Sequence, residues 1–185
     1  MTAPVYNKNN SSWSNYSLSE SLKQEINNMN DNEKNEFAMY WLEAAQSEHS
    51  SIASFSQVIL ELSTFGAPSN LLQLATSAMQ DEIRHTKIAV SLVKIATNKE
   101  YEINNLPLTN LPLRNKEQFR KANHRDAIIN EARSADELYK YADECLKKNR
   151  IELAKVITEI ADDETRHADL GHKIEEWLVS TENNN

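Results

Sequence analysis

Four glutamates and two histidines carry the chemistry this sequence can do. Two five-residue strings are nearly the same: Asp81-Glu82-Ile83-Arg84-His85 and Asp163-Glu164-Thr165-Arg166-His167. Each contains Glu-x-x-His, which on a helix sets a carboxylate and an imidazole on one face, a turn apart. Two more glutamates stand at matched offsets. Glu48 precedes Glu82 by 34 residues, and Glu131 precedes Glu164 by 33. A carboxylate in a helical core costs several kcal/mol when nothing answers its charge. Four of them, with two imidazoles, call for cations. One Glu from each of two helices, plus Glu-x-x-His from each of two others, is the donor set of a carboxylate-bridged pair of iron or manganese ions. Imidazole with carboxylate suits both metals, and the lone Cys145 provides no softer alternative. Asp136 and Glu137 are rivals to Glu131, and Glu43 is a rival to Glu48, although Glu43 lies off the apolar seam.

Those six residues need four helices to hold them, and four helical patterns are present. The first runs from about Glu33 to Thr64, with a seam of Trp41, Ala45, Glu48, Ile52, Phe55, Ile59 and Leu62. The second runs from about Ser69 to Asn98 and carries Glu82 and His85 between Ala78 and Ala89. The third runs from about Glu117 to Lys148, with Ile128, Glu131, Ala135, Leu138, Ala142 and Cys145. The fourth runs from about Ile151 to Val179 and carries Glu164 and His167 between Ile160 and Gly171. Spacings alternating three and four mark one face packed inside a left-handed bundle. Gly66-Ala67-Pro68 and Lys147 to Arg150 are short turns, with Gly66 and Asn149 suited to left-handed caps. Short turns make antiparallel neighbours. Glu100 to Lys116, with Pro107 and Pro112, is long enough to run the length of a helix. The expected fold is all-α, a four-helix bundle with a long crossover between helices two and three.

Composition agrees. The chain has 185 residues, of which two are Gly and four Pro. Average usage would give roughly 13 and 9. Sheets, hairpins and phosphate loops need more glycine than this. The net charge of −8, without a basic stripe, speaks against nucleic acid and anionic membranes as partners. One cysteine gives no disulfide framework, so a cytoplasmic location is expected. Neither a signal-peptide core near Met1 to Asn10 nor a membrane-length apolar run is present. Residues 1–32, rich in Asn and Ser, read as a mobile segment with room for one short helix from about Leu18 to Met29. Residues 33–180 form the expected bundle, and residues 181–185 a frayed tail.

With these motifs in place the chain resembles the ferritin-like superfamily over about residues 34 to 179. Glu48-His49-Ser50-Ser51-Ile52-Ala53-Ser54-Phe55, then Gly66-Ala67-Pro68 and Asp81 to His85, are similar to a group of small bacterial ferritin-like proteins. The resemblance implies that Glu82 and Glu164 bridge two metals. It makes Glu48 and Glu131 terminal ligands and gives His85 and His167 one metal each. It further implies that Asp81 hydrogen-bonds His167 and that Asp163 hydrogen-bonds His85, fixing each ring.

A metal pair in a dry bundle points to O2 activation at a Glu4His2 site. The cofactors are two Fe ions, with Mn or a mixed Mn/Fe pair as the variant. An oxygenase or oxidase of a small organic substrate is the leading expectation, with O2, that substrate and an external electron donor as partners. A homodimer is compatible with it. Ferroxidase or iron-storage activity and rubrerythrin-like peroxide reduction are the alternatives. Of the remaining groups, His49, His124 and His172 read as surface or supporting residues rather than ligands. Arg84 and Arg166 are expected in salt bridges around the core carboxylates. Tyr40, Tyr139, Tyr141, Cys145, Trp41 and Trp177 read as packing. Gly171 is the one glycine inside a helical pattern. Its cost of roughly 1 kcal/mol against Ala asks for a local reason.

Overall fold

Caps written into the sequence set where the helices begin. Asn30 accepts from the Glu33 amide at 3.0 Å, while the Glu33 carboxylate accepts from the Asn30 amide at 3.1 Å. This reciprocal box starts the first long helix at Asp31. Asn115 and Gln118 form the same box further on. The computed structural model describes residues 2–107 and 112–182. In chain order these hold β1 (Val5–Asn7), α1 (Glu20–Asn27), α2 (Asp31–Thr64), α3 (Ser69–Thr97) and β2 (Tyr101–Ile103). Then follow α4 (Lys116–Asn123), a π-helical segment (His124–Asn130), α5 (Glu131–Lys147) and α6 (Ile151–Glu182). The chain is mostly helical, as the glycine count requires. It divides into two compact units, Met1–Ser54 with Gln80–Asn110 and Phe55–Met79 with Leu111–Asn185.

The first unit buries Leu22 and Ile26 of α1, Phe37, Trp41 and Ala45 of α2, and Ile88, Leu92 and Val93 of α3. Its N-terminal segment carries more than the single short helix expected. β1 pairs antiparallel with β2, Val5 opposite Ile103 and Asn7 opposite Tyr101. The Ser14 hydroxyl donates to the Tyr101 carbonyl at 3.0 Å and accepts from the Tyr101 amide at 3.2 Å. Glu100 accepts from the amides of Asn10 and Ser11 and from the Lys94 ammonium. The expected crossover from Glu100 to Lys116 therefore begins as a strand. Residues 108–111 of it lie outside the described residues.

The second unit is built around Phe55, Leu62, Leu71, Ala75, Ala78, Phe119, Leu170, Ile174 and Leu178. Gly66 (φ 75°) and Asn149 (φ 58°) end α2 and α5 in the left-handed conformation expected of them. Each turn closes in the same way. The Ala67 amide reaches the Leu62 carbonyl and the Arg150 amide reaches the Cys145 carbonyl, both at 2.9 Å. The third helical pattern does not run as one α-helix. Seven π-helical residues separate α4 from α5, and Glu131 follows them directly. Thr181 and Glu182, expected to fray, belong to α6; residues 183–185 lie outside the described residues.

Candidate metal centre

Each unit carries a trio of two carboxylates and one imidazole. In the first, α2 supplies Glu48, and α3 supplies Glu82 and His85 three residues apart. One ligand atom from each lies within 4.8 Å of the others. His85 Nδ1 stands 3.6 Å from a Glu48 oxygen. Glu82 and His85 are each 1% exposed, and the Glu48 side chain keeps 18%. Ile88 and Ala89 follow these ligands on α3 and are themselves buried, so the helix hides Glu82 and His85 along with its apolar positions.

In the second unit, α6 supplies Glu164 and His167, both 2% exposed. Glu131, the first residue of α5, brings its carboxylate within the same 4.8 Å of both. His167 Nδ1 stands 3.7 Å from a Glu164 oxygen. The Phe55 ring meets the His167 ring edge-on, with centroids 5.1 Å apart, and so closes an apolar wall over the imidazole. All six residues that the sequence nominated thus fall into buried groups able to hold a metal ion. The rivals Glu43, Asp136 and Glu137 are exposed.

The donor chemistry fits a hard or borderline divalent cation: carboxylate oxygens and imidazole nitrogens, close together and shielded from water. The neighbours support these positions. Arg84 donates to Asp81 at 3.0 Å, and Arg166 is paired with the buried Asp163, each one turn along its own helix. These are salt bridges of the kind expected beside the core carboxylates. His124 and His172 are exposed. His49 sits under the edge of Trp13, with centroids 5.3 Å apart and interplanar angle 82°. Burial lowers the pKa of its imidazole. Tyr139 donates to Asp162 at 2.6 Å, and that bond holds its phenol above its ordinary pKa.

Three features of the site were not foreseen. The Phe55 wall is one, and the approach of Trp13 to His49 is another; neither pairing leaves a local spacing signal. The third is the π segment ahead of Glu131. Compared with known proteins, the chain matches no family model, no curated protein and no solved structure.

Proposed function

We propose that the protein is a non-haem di-iron protein of the ferritin-like kind, activating O2 to oxidise a small organic molecule. In this reading each trio supplies ligands to one ion: Glu48, Glu82 and His85 to the first, and Glu131, Glu164 and His167 to the second. The observation that carries the reading is the burial of two Glu-x-x-His motifs, each within ligand distance of a further glutamate. Four carboxylates bring four negative charges, which two divalent ions balance. A bound iron pair would supply two electrons to O2, and an external donor would restore them.

The chain's own residues do the rest. With ions bound, Glu82 and Glu164 would serve as the bridging carboxylates that the resemblance implies, and His85 and His167 would each hold one ion. By the same resemblance Asp81 and Asp163 would orient the imidazole ligands. The near-absence of exposure at four of the six ligands excludes water, so that an oxidant meets substrate rather than solvent. Glu48 and Glu131, the two partly open ligands, are where a proton or an ion would enter. That opening also favours a second reading, ferritin-like iron oxidation, in which further Fe(II) is the substrate.

Anaerobic loading with Fe(II) followed by metal analysis tests the centre. The expected result is about two Fe per chain, and loss of both in the Glu82→Ala, Glu164→Ala double variant. Equal iron in the variant and the parent would remove the assignment. Addition of O2 with candidate substrates, read by product mass, then separates the activities. Iron oxidised far beyond two equivalents, with no organic product, would select the second reading.

A further inference from the structure

The chain uses glycine twice, and the two positions have different causes. Gly66 needs its positive φ at a turn. Gly171 lies inside α6, where glycine is less favourable than Ala. The reason is space. A Cβ at 171 would meet Ala127 Cβ and Ile128 Cγ1 at 2.9 Å and the Ala127 carbonyl carbon at 3.2 Å. The last of these is backbone and cannot swing aside. Ala127 and Ile128 are the middle of the π segment. At its entry, Asn123 donates from Nδ2 to the Gly171 carbonyl at 2.8 Å. One residue of α6 therefore seats the π segment at two points. Gly171 lies one turn beyond His167, and the π segment ends where Glu131 begins.

We propose that Gly171 and Asn123 are positioning residues for Glu131. Together they hold the wide turn that aims its carboxylate at Glu164 and His167. This rests on the metal centre proposed above. A π turn takes up extra residues without advancing the helix, so it changes the direction in which every later side chain points. Continuing as α-helix would swing Glu131 by about 100° for each residue of slip. The lock is retained at a cost. Asn123 is 4% exposed, and its Oδ1 finds no donor among the described residues. A buried acceptor left in that state is destabilising. Packing alone would favour an apolar residue there. A side-chain amide that spends its donor on Gly171 makes sense where register matters.

Co(II) titration of the full chain, read by visible absorption, tests the assignment. The parent is expected to bind two Co(II). Gly171→Ala is expected to keep the helical far-UV signal and the first Co(II). It should bind the second at least tenfold more weakly, with a shifted ligand-field band. Adding Ala127→Gly and Ile128→Ala to Gly171→Ala should restore the second ion. Asn123→Ala, which adds no bulk, should weaken the same ion and covers the case in which Gly171→Ala does not fold. Arg114→Ala serves as the control for general destabilisation and should leave both ions and their spectrum unchanged. Parent-like Co(II) binding in both Gly171→Ala and Asn123→Ala would overturn the positioning role while leaving the centre intact. Absence of Co(II) and Fe(II) binding in the parent would instead overturn the centre, and the positioning role with it.

Discussion

Glu61 shows how this chain treats a buried charge outside the candidate metal centre. It is fully buried, and Arg114 answers it as completely as an arginine can. Nε reaches both carboxylate oxygens at 3.0 Å, Nη2 reaches one at 2.7 Å, and the Arg114 amide adds a fourth bond at 2.8 Å. Gln57 donates to the same carboxylate at 3.1 Å. The guanidinium also lies over the Phe119 ring, 5.6 Å from its centroid. Arg114→Ala strips all but the backbone and Gln57 bonds from a buried anion. The expected loss is about 2–3 kcal/mol of stability, read from urea unfolding. The six nominated ligands are treated differently: their glutamates are grouped with imidazoles within ligand reach of one another. This contrast was half legible in the sequence. Glu48, Glu82, Glu131 and Glu164 announced themselves by motif and offset. Glu61 did not, because Arg114 lies 53 residues away and ion pairs at that separation leave no periodic trace.

At the scale of elements, long helices declared themselves and irregular ones did not. α2, α3 and α6 fall within three residues of the expected bounds, since their seams repeat over eight turns or more. The π segment left a trace that the heptad reading passed over. Phe119 and Ala122 are buried before it, and Ala135, Leu138, Ala142 and Cys145 after it. A seven-residue repeat carried forward from Phe119 and Ala122 lands on Arg133 and Asp136 instead, both exposed. The seam drawn from Ile128 onward matched the later phase and left the earlier one unexplained. A phase slip of that size inside one helical pattern is what a wide turn produces. The pairing of β1 with β2 was invisible for another reason: three-residue strands more than ninety positions apart carry no local pattern. Glu100 fastens that pairing to the N-terminal segment. Its hydrogen bond from Lys94, aided by those from Asn10 and Ser11, holds its carboxyl below the usual range. The stabilisation is therefore complete above the ordinary carboxylate pKa and fades as pH falls through the lowered one. On acidification the protection factors of the Asn10 and Ser11 amides against hydrogen exchange should fall before those of α3. Glu100→Gln should show the lower protection already at neutral pH.

For the whole molecule, charge and metal are linked. The chain carries a net charge of −8, half the size of which comes from the four nominated glutamates. No helix among the described residues is long and apolar enough to cross a membrane. Two divalent ions would halve the net charge and remove the repulsion that concentrates at the trios. Binding to the folded state alone adds about 2.7 kcal/mol when free metal exceeds Kd a hundredfold. Calorimetry should show the melting temperature rising with Fe(II) or Mn(II) and returning on chelation. The Glu82→Ala, Glu164→Ala variant should melt at one temperature in both conditions.

The left-handed backbone positions have a consequence in the unfolded chain. Among the described residues, those with positive φ besides Gly66 are Asn10, Asn98 and Asn149, at 60°, 54° and 58°. Asparagine accepts that conformation through its short polar side chain, yet it roams less of backbone space than glycine once the structure is lost. Each such choice narrows the disordered ensemble, an effect worth about 0.4–1 kcal/mol where the native angles are tolerated. The scarcity of glycine that commits the folded chain to helices also lowers the entropy it would gain by coming apart.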